Sequence, residues 1–539
     1  MKDINRSTLM KQILTVIFLF LTIGSYAQLP MAPSQLEALG TRSWIRVDWD
    51  PAPNHEGGYK LYWSDTGKKP NEANAIVESP QNRYYITDVT ADRKYKVWVE
   101  ACNGSGTSTS VSVEVITEKS WRLSPKEIEE LKNTPSSTAV PTGMELFWHD
   151  EFNDLLLNRN KWSTNYYSSI DQLRGDFEED MRNDNLAQPA YILNGKTINL
   201  YTSDSLPVRV YDQKNNKKIS SIQTYDWRTN ECLLDNSRGG YFEVKVKRKN
   251  TGKPRGLNTA FWFDAPGPDL RNYFQEGTEV NGVKGVRPKG QVFEIDVFEY
   301  ISAQFVLHGH VDQNGRFLRN LNTHIAEGYD HFDNWVIHGI LWSPTTIKHY
   351  INGDLIKEYS DKENMHSPNH FMNVFLGSYG GGGTVNMEVD YIRMYQWPLK
   401  DGNELPNPGF DDGDALMPWE GTGHIVAEAG TKKTNAIVLE PGQYIEQYVY
   451  LDNDQDYRLT YESKGKTDIV GSVDNVTLVN GSLSSVVAIE GRGGNKFRRN
   501  RVDFRSGKEY DNYKKKMRVW FKNNGKTNVV LDDIQIVKR

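Results

Sequence analysis

The residues best equipped for chemistry lie together in Gln291-Val292-Phe293-Glu294-Ile295-Asp296-Val297-Phe298-Glu299-Tyr300, where three carboxylates are set among β-branched and aromatic residues. That composition favours an extended strand, and Gly290 before it acts as a breaker. In a regular strand Glu294 and Asp296 share one face while Ile295 and Val297 take the other. Glu299, five positions after Glu294, would then point to the apolar side, where an unpaired carboxylate costs several kcal/mol. One surplus residue between Asp296 and Glu299, a β-bulge, removes the conflict and leaves Phe298 with the core. With the bulge counted as one step, Glu294 and Glu299 stand four steps apart, roughly 13 Å between backbones at about 3.3 Å per step. Long side chains leaning together can bring the carboxyl groups towards the ~5–5.5 Å of a retaining glycosidase, although the wider inverting spacing fits the same arithmetic. Three acids on one face cannot all ionise at their ordinary pKa, so one is pushed up and holds a proton. The alternative is a solvated acidic face on an edge strand.

The pattern E-x-D-x-x-E on one strand resembles glycoside hydrolase family 16 in its bulged form, as in laminarinases, agarases, porphyranases and kappa-carrageenases. The resemblance implies Glu294 as nucleophile, Glu299 as general acid/base and Asp296 as the carboxylate that tunes the pair. Further stretches resemble the family in order: Trp148-His149-Asp150-Glu151-Phe152-Asn153 with Lys161-Trp162, Gly240-Tyr241-Phe242-Glu243, Thr259-Ala260-Phe261-Trp262-Phe263, then Trp342, Tyr350 to Asp354, and Met387 to Tyr395. By the same resemblance Trp262 is a sugar platform, and a histidine one strand after the acids, His310, reaches the glycan; His308 shares its face. Phe152, Phe242 and Tyr391 alternate with polar residues and read as core, and Glu243 and Arg393 as strand-surface charges.

A chain of 539 residues exceeds a single core. The formal net charge is −6 with both signs interspersed, which speaks against a nucleic-acid partner. The cysteines, Cys102 and Cys232, are far apart, so neither a disulfide nor a metal cluster is expected. Residues 1–27 carry Lys2, Arg6 and Lys11, an apolar run from Ile13 to Ile23, and Ser25-Tyr26-Ala27, the layout of a secretory signal peptide. The apolar run is shorter than the ~20 residues of a span. A secreted monomer without a membrane anchor, extracellular or periplasmic, is the expectation.

Residues 28–118 alternate short strands and turns and resemble a fibronectin type III module, with Trp49 and Tyr95 as core and Val89 to Tyr95 at tyrosine-corner spacing. Residues 119–142 read as a linker with a short helix at 124–131. Residues 143–398 form the domain that holds the acids. Residues 404–539, from Asn407-Pro408-Gly409-Phe410 to Leu531-Asp532-Asp533-Ile534, resemble a jelly-roll carbohydrate-binding module, in which Trp419, Tyr444, Tyr448 and Trp520 read equally as core or as sugar platform. The expected fold is therefore all-β: a jelly-roll catalytic sandwich between a fibronectin-like and a C-terminal jelly-roll sandwich.

Laminarinases of the family read W-P-A-F-W where this chain has Asn258-Thr259-Ala260-Phe261-Trp262, which favours a galactan-cleaving branch and a β-1,4 bond. Arg174, Arg182, Arg228, Arg271, Lys284, Arg287 and Lys289 suit sulfate esters, with Arg182 the candidate contact. Asp264, Asp269, Glu276 and Glu279 can instead balance the loop cations. Neutral and sulfated galactans (agar, porphyran, carrageenan, furcellaran) stay open, with a laminarinase-like β-1,3-glucanase and a non-hydrolytic glycan-binding protein as alternatives. Catalysis needs no cofactor or metal; the resemblance allows a structural calcium in the C-terminal module.

Overall fold

The computed structural model describes residues 28–40, 45–79, 82–86, 89–90, 93–117, 129, 139–155, 157–158, 160–164, 191–205, 218–226, 231–255, 258–265, 279–280, 283–284, 292–299, 304–310, 317–360, 365–380, 382–412, 416–466, 468–476, 482–492, 494–509 and 514–539. The expected signal peptide, most of the linker helix, and Arg174, Arg182, Arg228, Arg271, Arg287 and Lys289 lie outside them. Every named element among them is a strand. None of the described helices is long and apolar enough to cross a membrane.

The chain divides into two compact units, Met1–Leu123 and Ser124–Arg539. In the first, Ser34–Gly40, Ile45–Asp50 and Arg83–Ile86 form one sheet, and Ala75–Val77, Tyr59–Ser64, Lys94–Asn103 and Val111–Ile116 lie in the other. Trp49 and Tyr59 meet edge to face at 5.0 Å in the core, with Tyr95 also buried. The hydroxyl of Tyr95 accepts a hydrogen bond from Thr90 N at 2.9 Å, the tyrosine corner implied by the spacing. Cys102 and Cys232 are not joined in a disulfide.

The second unit holds two sandwiches. One sheet of the first orders Lys218–Gln223, Asn373–Gly380, Asn258–Asp264, Val292–Glu299, Gln304–His310 and Phe317–Ile325. The other runs through Tyr191–Leu193, Ile198–Thr202, Gly382–Gln396, Gly240–Arg255, Trp335–Trp342, Thr346–Ile351 and Asp354–Ser360, with Glu145–Asp150 paired to Gly382–Gln396. Between them Phe242 contacts Phe263 and Trp342 at 4.8 and 5.1 Å, and Phe261 contacts Phe298 at 6.1 Å. Phe152, Phe242 and Tyr391 are buried, as alternation implied.

Glu243 and Arg393 are not surface charges. Glu243 is fully buried, with Tyr241 donating to it at 3.2 Å, and Arg393 grips Glu151 through Nε at 2.9 Å and Nη2 at 2.8 Å. Burial pushes the Glu151 carboxyl up, but the bonds from His149 and Arg393 outweigh it and hold the group at about 2. The fork ties the segment after Glu145–Asp150 to the last strand, a long-range pairing that strand alternation alone could not reveal.

The C-terminal sandwich packs Glu420–Gly421, Tyr444–Leu451, Lys515–Asn523, Asp468–Val476 and Leu483–Arg492 against His424–Val426, Ala436–Leu439, Val529–Lys538, Asp456–Lys464 and Arg498–Arg505. Trp419 belongs to its core, at 1% exposure, with Nε1 donating to Asn407 O at 3.0 Å. The two sandwiches are joined directly: Lys514 N donates to Asn369 O at 2.7 Å, Asn369 Nδ2 to Lys514 O at 2.8 Å, and Tyr450 OH to Ser367 O at 3.4 Å. They therefore belong to one compact unit, Ser124–Arg539.

A polar cluster lies behind the strand that carries the acids. Arg248, at 1% exposure, places its guanidinium 4.0 Å from the ring centre of Phe298, and His338 approaches the same ring at 4.6 Å. His331 stacks on His338 at 5.5 Å, and His324 hydrogen-bonds His349 at 2.9 Å and the Tyr359 hydroxyl at 2.7 Å. Burial pushes all four imidazoles down: His324 and His331 to about 4, His349 to about 3, and His338 well below the usual range. Arg248 adds to the lowering of His331 and His338, Lys357 to that of His324, and the neighbouring imidazoles to that of His338 and His349; Asp330 opposes it weakly at His331. Above pH ~6.5 folded and unfolded forms are both neutral; below it the unfolded chain takes up protons that the folded chain refuses, so stability is lost from there down towards pH ~4. Neither ring nitrogen of His331 has a hydrogen-bond partner, an arrangement that costs about 1–3 kcal/mol. His331→Phe is expected to leave the Tm at pH 7.5 unchanged or higher and to shrink its fall between pH 7 and pH 4.5; calorimetry at both pH values is the check.

Candidate active site

The strand Val292–Glu299 lies between Asn258–Asp264 and Gln304–His310, and its register is the decisive feature. Glu294 is opposite Asp264, Asp296 opposite Trp262, Phe298 opposite Phe261 and Glu299 opposite Ala260. The shift between Phe261 and Trp262 leaves Val297 as the surplus residue, fully buried. Asp264, Trp262 and Ala260 alternate with the core residues Phe263 and Phe261, so Glu294, Asp296 and Glu299 share the outer face. Without Val297 in the count, Glu299 and Phe298 would exchange faces.

Burial divides the three. Asp296 is 2% exposed, whereas Glu294 and Glu299 are half-buried. Burial pushes the Asp296 carboxyl well above the usual range, and the charges of Glu299 and Asp264 push the same way. The carboxyl pushed up is thus the middle one, which keeps its proton to higher pH than an ordinary aspartate.

Glu299 is positioned by residues that sequence reasoning did not single out. Its Oε1 accepts hydrogen bonds from Asn258 Nδ2 at 3.1 Å and from Tyr379 OH at 3.0 Å, and Asn258 also bonds the Tyr379 hydroxyl. Asn258 and Tyr379 are cross-strand partners, which brings both to the acid from positions 41 and 80 residues away in sequence. The only available signal was the departure from W-P-A-F-W, since Asn258 stands where that pattern has its first Trp. Deeper on the same face, Asn373 Nδ2 bridges Asp264 Oδ1 at 3.0 Å and Gln223 Oε1 at 3.2 Å.

Trp262 lies on the acid face, opposite Asp296, stacked on Phe375 at 4.0 Å with planes 8° apart and only 7% exposed. Tyr379 meets it edge-on at 5.9 Å. The backbone of His310 pairs with Phe317, and that of His308 with Glu294, while both side chains lie outside the described residues, as does all of Arg182. No group of three or more His, Cys, Asp or Glu side chains that could hold a metal occurs among the described residues. In the C-terminal sandwich Asp532 Oδ2 accepts from Thr431 N at 2.7 Å and Asp411 Oδ1 from Asn435 N at 2.8 Å.

The Asp296 proton gives a stability test. Its folded pKa lies above the unfolded value of about 3.8, so the stability it permits is present at low pH and lost as pH rises through the folded pKa. Asp296→Asn cannot ionise, and its Tm advantage over the parent chain is expected to widen from pH 4 to pH 8; a constant difference would contradict the raised carboxyl.

Residues 235–396 match the family model of Glycosyl hydrolases family 16, and residues 31–118 that of the Fibronectin type III domain. Glucan endo-1,3-beta-glucosidase A1 of Niallia circulans is 24% identical over 302 residues, 49% of this chain and 39% of its own length. Keratan-sulfate endo-1,4-beta-galactosidase of Sphingobacterium multivorum is 26% identical over 177 residues, 29% of this chain and 40% of its own length. The chain thus spans about two fifths of each of these curated relatives. Among solved structures, a GlcNAcα1-4Gal releasing endo-β-galactosidase from Clostridium perfringens aligns with 59% of this chain and 81% of its own, at 16% identity and a TM-score of 0.35.

Proposed function

We propose that this chain, with its family-16 glycosyl hydrolase domain, is a secreted, retaining endo-β-glycanase that acts on a galactan. The observation that carries the reading is the bulge at Val297, which brings Glu294, Asp296 and Glu299 to one face. Glu294 attacks the anomeric carbon as Glu299 gives its proton to the departing glycosidic oxygen, forming a glycosyl-enzyme ester. Glu299, now a base, takes a proton from water as that water displaces Glu294 and restores both carboxyl groups. Asp296, which keeps its proton to higher pH than usual, eases the like-charge crowding on this face.

For the substrate, Asn258 supports the β-1,4-galactan branch. The residue that departs from the laminarinase pattern donates to the acid itself, so the departure alters the site rather than its surroundings. The curated relative named as an endo-1,4-beta-galactosidase is consistent with this reading. A laminarinase-like β-1,3-glucanase is the second reading, favoured by the longer match to the glucan endo-1,3-beta-glucosidase. Reducing-end release from agarose, porphyran, carrageenans and laminarin separates the two and shows whether the preferred galactan is sulfated.

Glu294→Gln is expected to abolish cleavage with an unchanged or higher Tm, because it removes a carboxyl from the face that also carries Asp264, Asp296 and Glu299. Retained turnover would remove Glu294 as nucleophile. Tyr379→Phe deletes one of the two described donors to Glu299 while keeping the ring beside Trp262, so kcat is expected to fall roughly tenfold or more with KM within about twofold. Steady-state kinetics on the preferred polymer decide it.

A further inference from the structure

Beyond the three acids that the mechanism uses, the same face carries a fourth. Asp264 ends the strand Asn258–Asp264, is 3% exposed, and stands directly opposite Glu294 across the ladder. Side chains at such positions lie about 4.5–5.5 Å apart at Cβ, and like charges there cost stability. A neutral polar residue would remove that cost, so the carboxyl breaks a local rule in the way that accompanies function. It acts on the carboxyl of Asp296 as well, one alternation further along the acid strand.

Asp264 is held from the side away from the acids. There it is in register with Asn373, whose Nδ2 donates to Asp264 Oδ1 at 3.0 Å and to Gln223 Oε1 at 3.2 Å. Asn373 is 1% exposed and Gln223 is fully buried, so packing fixes both. While Nδ2 serves two acceptors, Asn373 Oδ1 is left buried with no hydrogen-bond partner. A protonated Asp264 could donate to that oxygen if the amide turned over, so the orphaned acceptor marks an amide oriented to serve an anion.

The titratable groups facing this end of the row are Glu294 and Asp296 on the acid strand, Glu299 beyond them, and His308, whose backbone pairs with Glu294 from the far side; Asn373 and Gln223 bring no charge. Asp296 is flanked in register by Trp262 and Val306, neither of them charged, and the charges that act on it are those of Glu299 and Asp264.

We propose that Asp264 is a positioning residue of the site, a fixed negative charge at the anchored end of the row that sets the ionisation of Asp296 and of the nucleophile opposite it. Asp264 acts through those two side chains, and its effect on the reaction rests on the assignment of Glu294 as nucleophile.

Asp264→Asn keeps the shape and an acceptor for Asn373 while removing the charge. A raised carboxyl costs stability as pH rises through its folded pKa, which is why the Tm advantage of Asp296→Asn is expected to widen from pH 4 to pH 8; in the Asp264→Asn background that widening is expected to shrink by about a third or more. On the polymer that the parent chain cleaves, the acid limb of kcat/KM is expected to move to lower pH by about half a pH unit with KM within about twofold, because no anion then opposes ionisation of the nucleophile. A residue that served packing alone would lower kcat across the whole range and leave the limb in place. The same widening in both backgrounds overturns the proposal, as does an unmoved limb. If Asp264→Asn does not fold, Asp264→Ser, smaller and equally uncharged, takes its place with the same expected and overturning outcomes. If the parent chain cleaves none of the polymers, or Glu294→Gln retains turnover, the catalytic reading falls and the thermal cycle alone decides the role of Asp264. Cleavage that Glu294→Gln abolishes, together with an equal widening and an unmoved limb, overturns this inference alone.

Discussion

One unpaired residue in a ladder of hydrogen bonds governs the candidate site. The strand Val292–Glu299 must serve an apolar interior and an acidic exterior at once, and strict two-residue alternation cannot satisfy both. Val297 resolves this by occupying a position with no partner on Asn258–Asp264. Phe298 then reaches the core beside Phe261, and Glu299 emerges next to Asp296. Much else follows: the cross-strand pair Asn258 and Tyr379 meets Glu299 only because the register has been shifted.

The electrostatics build on that geometry. A buried carboxyl beside other acids resists ionisation, and burial together with the charges of Glu299 and Asp264 pushes that of Asp296 up. Asp296 lies deepest and takes the shift, which leaves its half-buried neighbours free to specialise. On the core side of the same strand, Phe298 is covered by Arg248 and His338 rather than by hydrocarbon alone. Charge and dipole therefore act on both faces of one short strand.

Much of this was legible before any coordinates. The bulge follows from the clash between two-residue periodicity and the cost of an inward glutamate. The tyrosine corner at Tyr95 was readable from the spacing of Val89 and Tyr95, and Tyr457 repeats it by accepting from Asp452 N at 2.9 Å in the C-terminal sandwich. What escaped depends on partners distant in sequence. Arg393 and Glu151 are 242 residues apart, so nothing local marks their ion pair as half-buried. Trp419 and Trp520 are both tryptophans on a β-sandwich, yet one fills the core and the other is held by Asp474 at the opposite face, a distinction only the register makes. The gathering of His324, His331, His338 and His349 was equally invisible, because three strands and a loop contribute to it.

The paired bonds between Asn369 and Lys514, with Tyr450 on Ser367, bear on how such a chain can be rearranged by recombination. The N-terminal module forms its own contact unit, so its exchange or loss leaves the contacts within the remainder intact. The C-terminal sandwich offers no such freedom. A replacement would have to reproduce a backbone edge that answers Asn369 and a hydroxyl that reaches Ser367, so gene fusions that keep the middle sandwich would be constrained to inherit its C-terminal neighbour with it.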